Sequence, residues 1–359
     1  WAQGQASAGF TDEGREVVVA YAELSTSRLM VRDWYSPKLT VRRKADGVEI
    51  INEATVPGYP FPSKEFIGDW NNTMARYNLQ PVAFDGFLDT MRFRDHVLNH
   101  REASELLKLD LQLAHDMGFK HIRTMTGLPT DVIEGALDTA EKLDVGIAWE
   151  IHLPIPIRPD PTIKGLFCER PGTAVEETVE FIKKTGTKKV GFVPDMGIFN
   201  RGPYIDGIER ELRHMDPDLA KEIRVVYESL YPMNLNKLGD EIEKNFKGKL
   251  TPAQERAFKW NKCADPSDLI PILPYVFSFH GKCHDMIEIP GQPGHYTEPA
   301  ERFEDVISLL KQNNWDGYIC TEFEGQRAWQ DCTRDKWIDE VDQVRKNHEM
   351  LKRCIEAEL

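Results

Sequence analysis

The stretch GIAWEIHL, residues 146–153, is an apolar run that stops at two ionisable side chains, Glu150 and His152. DVIEGALDTAEKLD (131–144) precedes it and GTAVEETVEFIKKTG (172–186) follows it, both with apolar residues at i, i+3, i+4 spacing. An apolar run of this length between two amphipathic helices reads as a strand of a parallel sheet covered on both faces. Working outward, the same alternation gives earlier strands at VVVAYAEL (17–24), GVEIINEA (47–54), PVAFDGFL (81–88) and KHIRTMTG (120–127). Later strands are KVGFVPDMG (189–197), YVFSFHGKC (275–283) and GYICTEFEG (317–325). Eight strands alternating with helices predict an α/β chain closed as a (β/α)8 TIM barrel, which needs about 250 residues.

The chain has 359 residues, 41% of them hydrophobic, enough for one decorated barrel domain over residues 1–359. The connection between the sixth and seventh strands, about 198–274, carries helix-like pieces such as DLAKEIRVVYESL and TPAQERAFKW, and reads as a helical insertion. HLPIPIRPDP (152–161) reads as a stiff loop after the fifth strand.

With 45 basic and 59 acidic residues, the formal charge of -14 repels phosphate backbones and anionic membrane surfaces, so nucleic-acid and membrane partners are not expected. No run of about 18 apolar residues occurs, and WAQGQASAGF at the start has neither the basic nor the apolar region of a signal peptide. The expectation is a soluble, cytoplasmic protein. The six cysteines are scattered without a CxxC pair and read as reduced thiols. Cys283 reads as a small buried filler rather than a nucleophile. The dense charge between Asp339 and Lys352 reads as a solvated helix face that implies no partner.

Barrels of this kind carry their chemistry at the carboxyl ends of the strands. There the fifth strand offers Glu150 and His152, the sixth Asp195, the seventh His280 and Lys282, and the eighth Glu322 and Glu324. Residues two apart on a strand share a face, so three pairs converge on one mouth. Uncompensated buried charges cost several kcal/mol each, and a divalent cation neutralises clustered carboxylates directly. Three carboxylates with one imidazole suit one divalent ion, Mn²⁺ favoured with Mg²⁺ or Co²⁺ as alternatives, better than structural zinc. Two open positions would chelate adjacent oxygens of a polyhydroxylated carbonyl substrate. His121 and Arg123 on the fourth strand, Asp85 on the third and Glu324 read as substrate contacts. Trp149 should face the helices.

In their joint order, WEIH, VPDMG, SFHGK and TEFEG resemble the xylose isomerase-like superfamily of sugar isomerases and epimerases. The resemblance covers about residues 17 to 330 and implies that Glu150, Asp195, His280 and Glu322 are the metal ligands. The Glu-x-His pair, SFHGK and the long insertion are most similar to the α subunit of bacterial C-glycoside deglycosidases. That resemblance implies a carbon–carbon lyase acting on a 3-oxo-glucosyl C-glycoside and working with a small β subunit in a hetero-oligomer. It also implies roles for two further residues: His152 as the base that takes the proton from sugar carbon 2, and Lys282 as a group that polarises an oxygen or stabilises enolate charge. An epimerase or isomerase of keto-sugars, with Glu150 and Glu322 as opposed acid and base, is the alternative. A non-catalytic carbohydrate-binding subunit would have lost a ligand, and none is lost. An endonuclease-like barrel would need more histidine ligands and a basic surface.

Overall fold

The computed structural model describes residues 7–8, 46–89, 92–124, 127–162, 171–259 and 264–358. The expected strand at 17–24 lies outside the described residues, as do Cys168 and Cys263. Two compact units emerge. The first comprises residues 1–195, 268–280 and 316–321, and the second residues 196–267, 281–315 and 322–359.

The first unit is a parallel sheet wrapped by helices. Its strands are β1 (Ser7–Ala8), β2 (Gly47–Ile51), β3 (Gln80–Gly86), β4 (His121–Thr124), β5 (Gly146–Ile151) and β6 (Val190–Pro194), hydrogen-bonded in sequence order. β2 to β6 run parallel, and β1 pairs with β2 in the antiparallel sense. Every residue of β2, β4, β5 and β6 is buried, as the apolar runs predict. Parallel bridges Phe192 to Val276 and Asp195 to His280 carry the sheet on to β7 (Ser278–Cys283), which pairs with β10 (Tyr318–Phe323). Cys320 of β10 packs with Val82 and Ala83 of β3, so the strands curl back on themselves as a barrel. Seven expected strands are thus present among the described residues.

Helices α2 (Lys64–Tyr77), α3 (His100–Asp116), α4 (Thr130–Leu143) and α5 (Ala174–Thr185) follow β2 to β5, after the single turn α1 (Asn52–Thr55). Their ends obey local chemistry. Asn99 and Glu102 form a reciprocal capping box at the start of α3, and α5 stops at Gly186 in the left-handed conformation. Trp149 faces the helices, donating from Nε1 to Thr178 Oγ1 of α5 at 3.1 Å and meeting Phe192 edge-on. A Cβ at Gly146 or Gly191 would overlap the Phe277 ring, so glycine is what allows that ring against β5 and β6. The stiff loop after β5 buries Ile155 and Ile157 and is tied by an Arg158–Asp268 ion pair.

The second unit holds the expected insertion. Helices α6 (Ile205–His214), α7 (Pro217–Leu230), α8 (Leu238–Phe246) and α9 (Pro252–Phe258) share one apolar core that includes Ile208, Ile223, Leu238 and Phe258. The two pieces foreseen in the insertion are α7 and α9. A short hairpin, β8 (Ile287–Glu288) with β9 (Tyr296–Thr297), and helices α10 (Phe303–Gln312) and α11 (Glu340–Glu356) complete the unit. The charged helix α11 also has a buried face formed by Val344, Asn347, Met350 and Leu351. No helix among the described residues is long and apolar enough to cross a membrane.

Candidate active site

Strand alternation turns Glu49 of β2, Asp85 of β3, Arg123 of β4, Glu150 of β5 and His280 of β7 into the interior of the first unit. All five are buried. His280 sits between two carboxylates, with Nδ1 2.8 Å from Glu150 Oε1 and Nε2 2.9 Å from Glu49 Oε1. Arg123 lies 3.2 Å from Asp85 Oδ2 and 3.6 Å from Glu150 Oε2, and stacks over the Phe87 ring.

Burial alone would raise every carboxyl here, because the charged form loses hydration. For Glu150 the Arg123 guanidinium and the His280 imidazole override burial and hold it well below the usual range. For Glu49, burial is likewise overcome, mainly by His280, leaving the carboxyl at about 2. Asp85 goes the other way: burial dominates, Glu49 adds to it, and the carboxyl rises well above its ordinary value.

Ligand atoms of Glu150, Asp195 and His280 lie within 4.8 Å of one another, all three residues being buried. Donors around one ion with bonds of about 2.0–2.2 Å stand about 3 to 4.4 Å apart, so this set fits a single cation. Two carboxylates and an imidazole are also the right chemistry for a divalent ion, and this buried cluster can hold one.

His152 follows directly on β5 and is the most open of the group, its side chain 36% exposed. Its Nδ1 donates to the carbonyl of Leu153 at 2.8 Å, which leaves the lone pair on Nε2, 3.6 Å from Asp195 Oδ2. His121 and Arg123, expected as substrate contacts, are both buried. His121 Nε2 is 3.0 Å from Ser278 Oγ, and burial depresses its pKa to about 4.

The remaining expected residues belong to the second unit. There Lys282 is buried with Nζ 3.2 Å from Glu322 Oε2 and 3.0 Å from Glu324 Oε2, and Arg327 pairs with Glu324. Glu324 thus shares its carboxylate between two cations. Burial, reinforced by Glu298, holds the Cys283 thiol well above its ordinary range, which suits a packing residue and not a nucleophile. The sequence reading passed over His284, whose Nδ1 is 3.0 Å from Asp206 Oδ1 and whose ring stacks on Tyr204. It also passed over Glu49, whose only signal was a carboxylate alternating with apolar residues in a buried strand.

No family model matches the chain. The chain is 25% identical to the C-glycoside deglycosidase alpha subunit of Arthrobacter globiformis, with 98% of this chain and 95% of the relative covered. It is 24% identical to the 3'-dehydrocarminate deglycosidase alpha subunit of a Microbacterium species, with 87% of each covered. Among solved structures, the IOLI protein with a bound zinc atom aligns at 13% identity and a TM-score of 0.46, covering 88% of this chain and 91% of that one. Along almost its whole length, then, the chain is similar to alpha subunits of deglycosidases, as the order of its strand-end motifs implies.

Proposed function

We propose that this chain is the catalytic α subunit of a metal-dependent C-glycoside deglycosidase, a carbon–carbon lyase that releases an aromatic aglycone from a 3-oxo-C-glucoside. Similarity to two named deglycosidase alpha subunits, over 98% and 87% of the chain, supports the substrate class. The observation that carries the chemistry is at His152, where Nδ1–H is held by the Leu153 carbonyl and Nε2, 3.6 Å from Asp195 Oδ2, is left as the proton acceptor.

Glu150, Asp195 and His280 would hold the cation, with Glu322, buried at the end of β10, as the fourth ligand. The donor set favours Mn²⁺. When bound, the ion would supply Lewis acidity to the 3-oxo and 2-hydroxyl oxygens of the sugar. His152 then takes the proton from carbon 2. The electrons of that C–H bond form the enediolate, which reforms the 3-oxo group, makes a carbon 1–carbon 2 double bond and breaks the bond from carbon 1 to the aryl ring. The ring carbon gains a proton, so the leaving aryl group must be activated by a phenol. Lys282 stabilises enolate charge. Glu324 acts as a substrate contact.

A small β subunit would complete the enzyme, since both relatives are named alpha subunits. The chain works as one domain in this reading. Its free thiols at Cys283, Cys320, Cys332 and Cys354 suit the cytoplasm.

The test is chromatographic. The protein, with its co-expressed small partner, should liberate free aglycone from a 3-oxo-C-glucoside. Efficient interconversion of free ketohexoses with no aglycone release would make the chain an epimerase instead.

A further inference from the structure

We infer that Glu49, which nothing in the deglycosidase chemistry requires, is the positioning residue that selects which nitrogen of His280 faces the cation. The inference rests on the metal-binding reading above. An imidazole bound to a metal through one nitrogen almost always donates its other N–H to a carboxylate or carbonyl, which sets the tautomer and the ring plane. In His280 the two nitrogens face two carboxylates at nearly equal range: Glu150 at 2.8 Å from Nδ1 and Glu49 at 2.9 Å from Nε2. Geometry around the ring separates them.

Glu150, 2.8 Å from Nδ1, belongs with Asp195 and His280 to one buried group whose ligand atoms lie within 4.8 Å of one another. Glu49, 2.9 Å from Nε2, belongs with Asp85 and His280 to a second buried group of the same span. That second group is already served. Asp85 has the Arg123 guanidinium 3.2 Å away. A divalent ion entering there would meet the like charge of that guanidinium, which stands farther, at 3.6 Å, from Glu150 Oε2. An ion held by the first group would therefore lie toward Nδ1, leaving Glu49 to receive the Nε2–H. Glu49 is 4% exposed, so solvent does not compete for that hydrogen bond.

The test is a titration of metal-stripped protein with Mn²⁺ alone, comparing wild type with Glu49→Gln. The amide keeps the shape and an acceptor oxygen but loses the charge that orients the N–H, and Mn²⁺ affinity should fall about 10- to 100-fold. Thermal unfolding in EDTA should show both proteins folded, with Glu49→Gln the less stable for losing a buried carboxylate beside His280. Unaltered Mn²⁺ affinity in a folded Glu49→Gln protein overturns the role of Glu49. So does total loss of uptake matching that of His280→Ala, because Glu49 would then be a ligand. Absence of uptake by the wild type overturns the metal reading itself. Should Glu49→Gln not fold, the wild type decides alone. In the Zn²⁺ form, nitrogen-15 spectra of histidine-labelled protein should show His280 as the Nε2–H tautomer, identified by its loss in His280→Gln, and the Nδ1–H tautomer overturns the inference.

Discussion

Nδ1 of His280 and Oε1 of Glu150 stand 2.8 Å apart although 130 residues separate them in the chain. Two strand ends, β5 and β7, bring them together, and Asp195 joins them from β6. If this cluster holds an ion, purified protein should contain one divalent metal per chain by elemental analysis. His280→Ala and Glu322→Gln should each lower its affinity by more than the roughly 10- to 100-fold typical of groups that only support a ligand. Cys283→Ala should leave metal content unchanged. A metal-free protein whose activity ignores EDTA sinks this expectation.

The strands were legible because a doubly covered parallel strand reads as a near-continuous apolar run, as GIAW and VGFVP do. The same logic made Glu150, Asp195 and His280 visible, since ionisable residues at the end of such runs are costly without a purpose. Glu49 was not legible as a partner of His280. It lies 231 residues away, and only closure of the sheet gives that carboxylate a neighbour. Arg123 and His121 were visible as polar residues in a strand, but not their depth, which depends on how far along a four-residue strand the interior is filled. In the insertion, α6 and α8 escaped because their few apolar residues form a face only once they pack on α7 and α9.

Asp110 provides a pH test away from the metal cluster. It is buried on α3, accepts a hydrogen bond from Tyr59 at 2.7 Å, and is pushed up to about 7, first by burial and despite that hydrogen bond. A carboxyl raised in the folded state is bound to its proton more tightly there than in the unfolded chain. Ionising it therefore costs stability as pH rises from about 4 to 7, by up to about 1.4 kcal/mol per unit. Asp110→Asn should match the wild type more closely near pH 4 and gain on it steadily to pH 8. A melting-temperature difference that is the same at pH 5 and pH 8 contradicts the assignment.

Lys282 lies between two buried carboxylates, 3.2 Å from Glu322 and 3.0 Å from Glu324. Removing one partner of a buried ion pair costs about 3–5 kcal/mol, because the charge left behind stays dehydrated. Lys282→Met should therefore destabilise the protein on that scale, and adding Glu324→Gln should recover part of the loss. Urea unfolding of the single and double variants measures the coupling. Strict additivity would mean that the three side chains do not act as a buried network.

His152 carries the sharpest expectation. Its Nδ1–H is held by the Leu153 carbonyl at 2.8 Å, so the ring presents Nε2 as an acceptor, 3.6 Å from Asp195 Oδ2 and open enough to meet a substrate. A side chain that is 36% exposed beside a wholly buried carboxylate is placed to exchange protons with whatever enters. It completes no part of the cation's donor set, so its removal should separate chemistry from metal binding. His152→Gln should lose about 10²- to 10⁴-fold in turnover while keeping metal content and melting temperature. In D₂O, substrate recovered from the wild type should carry deuterium at carbon 2, and substrate recovered from the variant should not. Near-normal turnover by His152→Gln, or loss of metal together with activity, would transfer the proton-abstracting role to the glutamates and leave His152 a structural neighbour of Asp195.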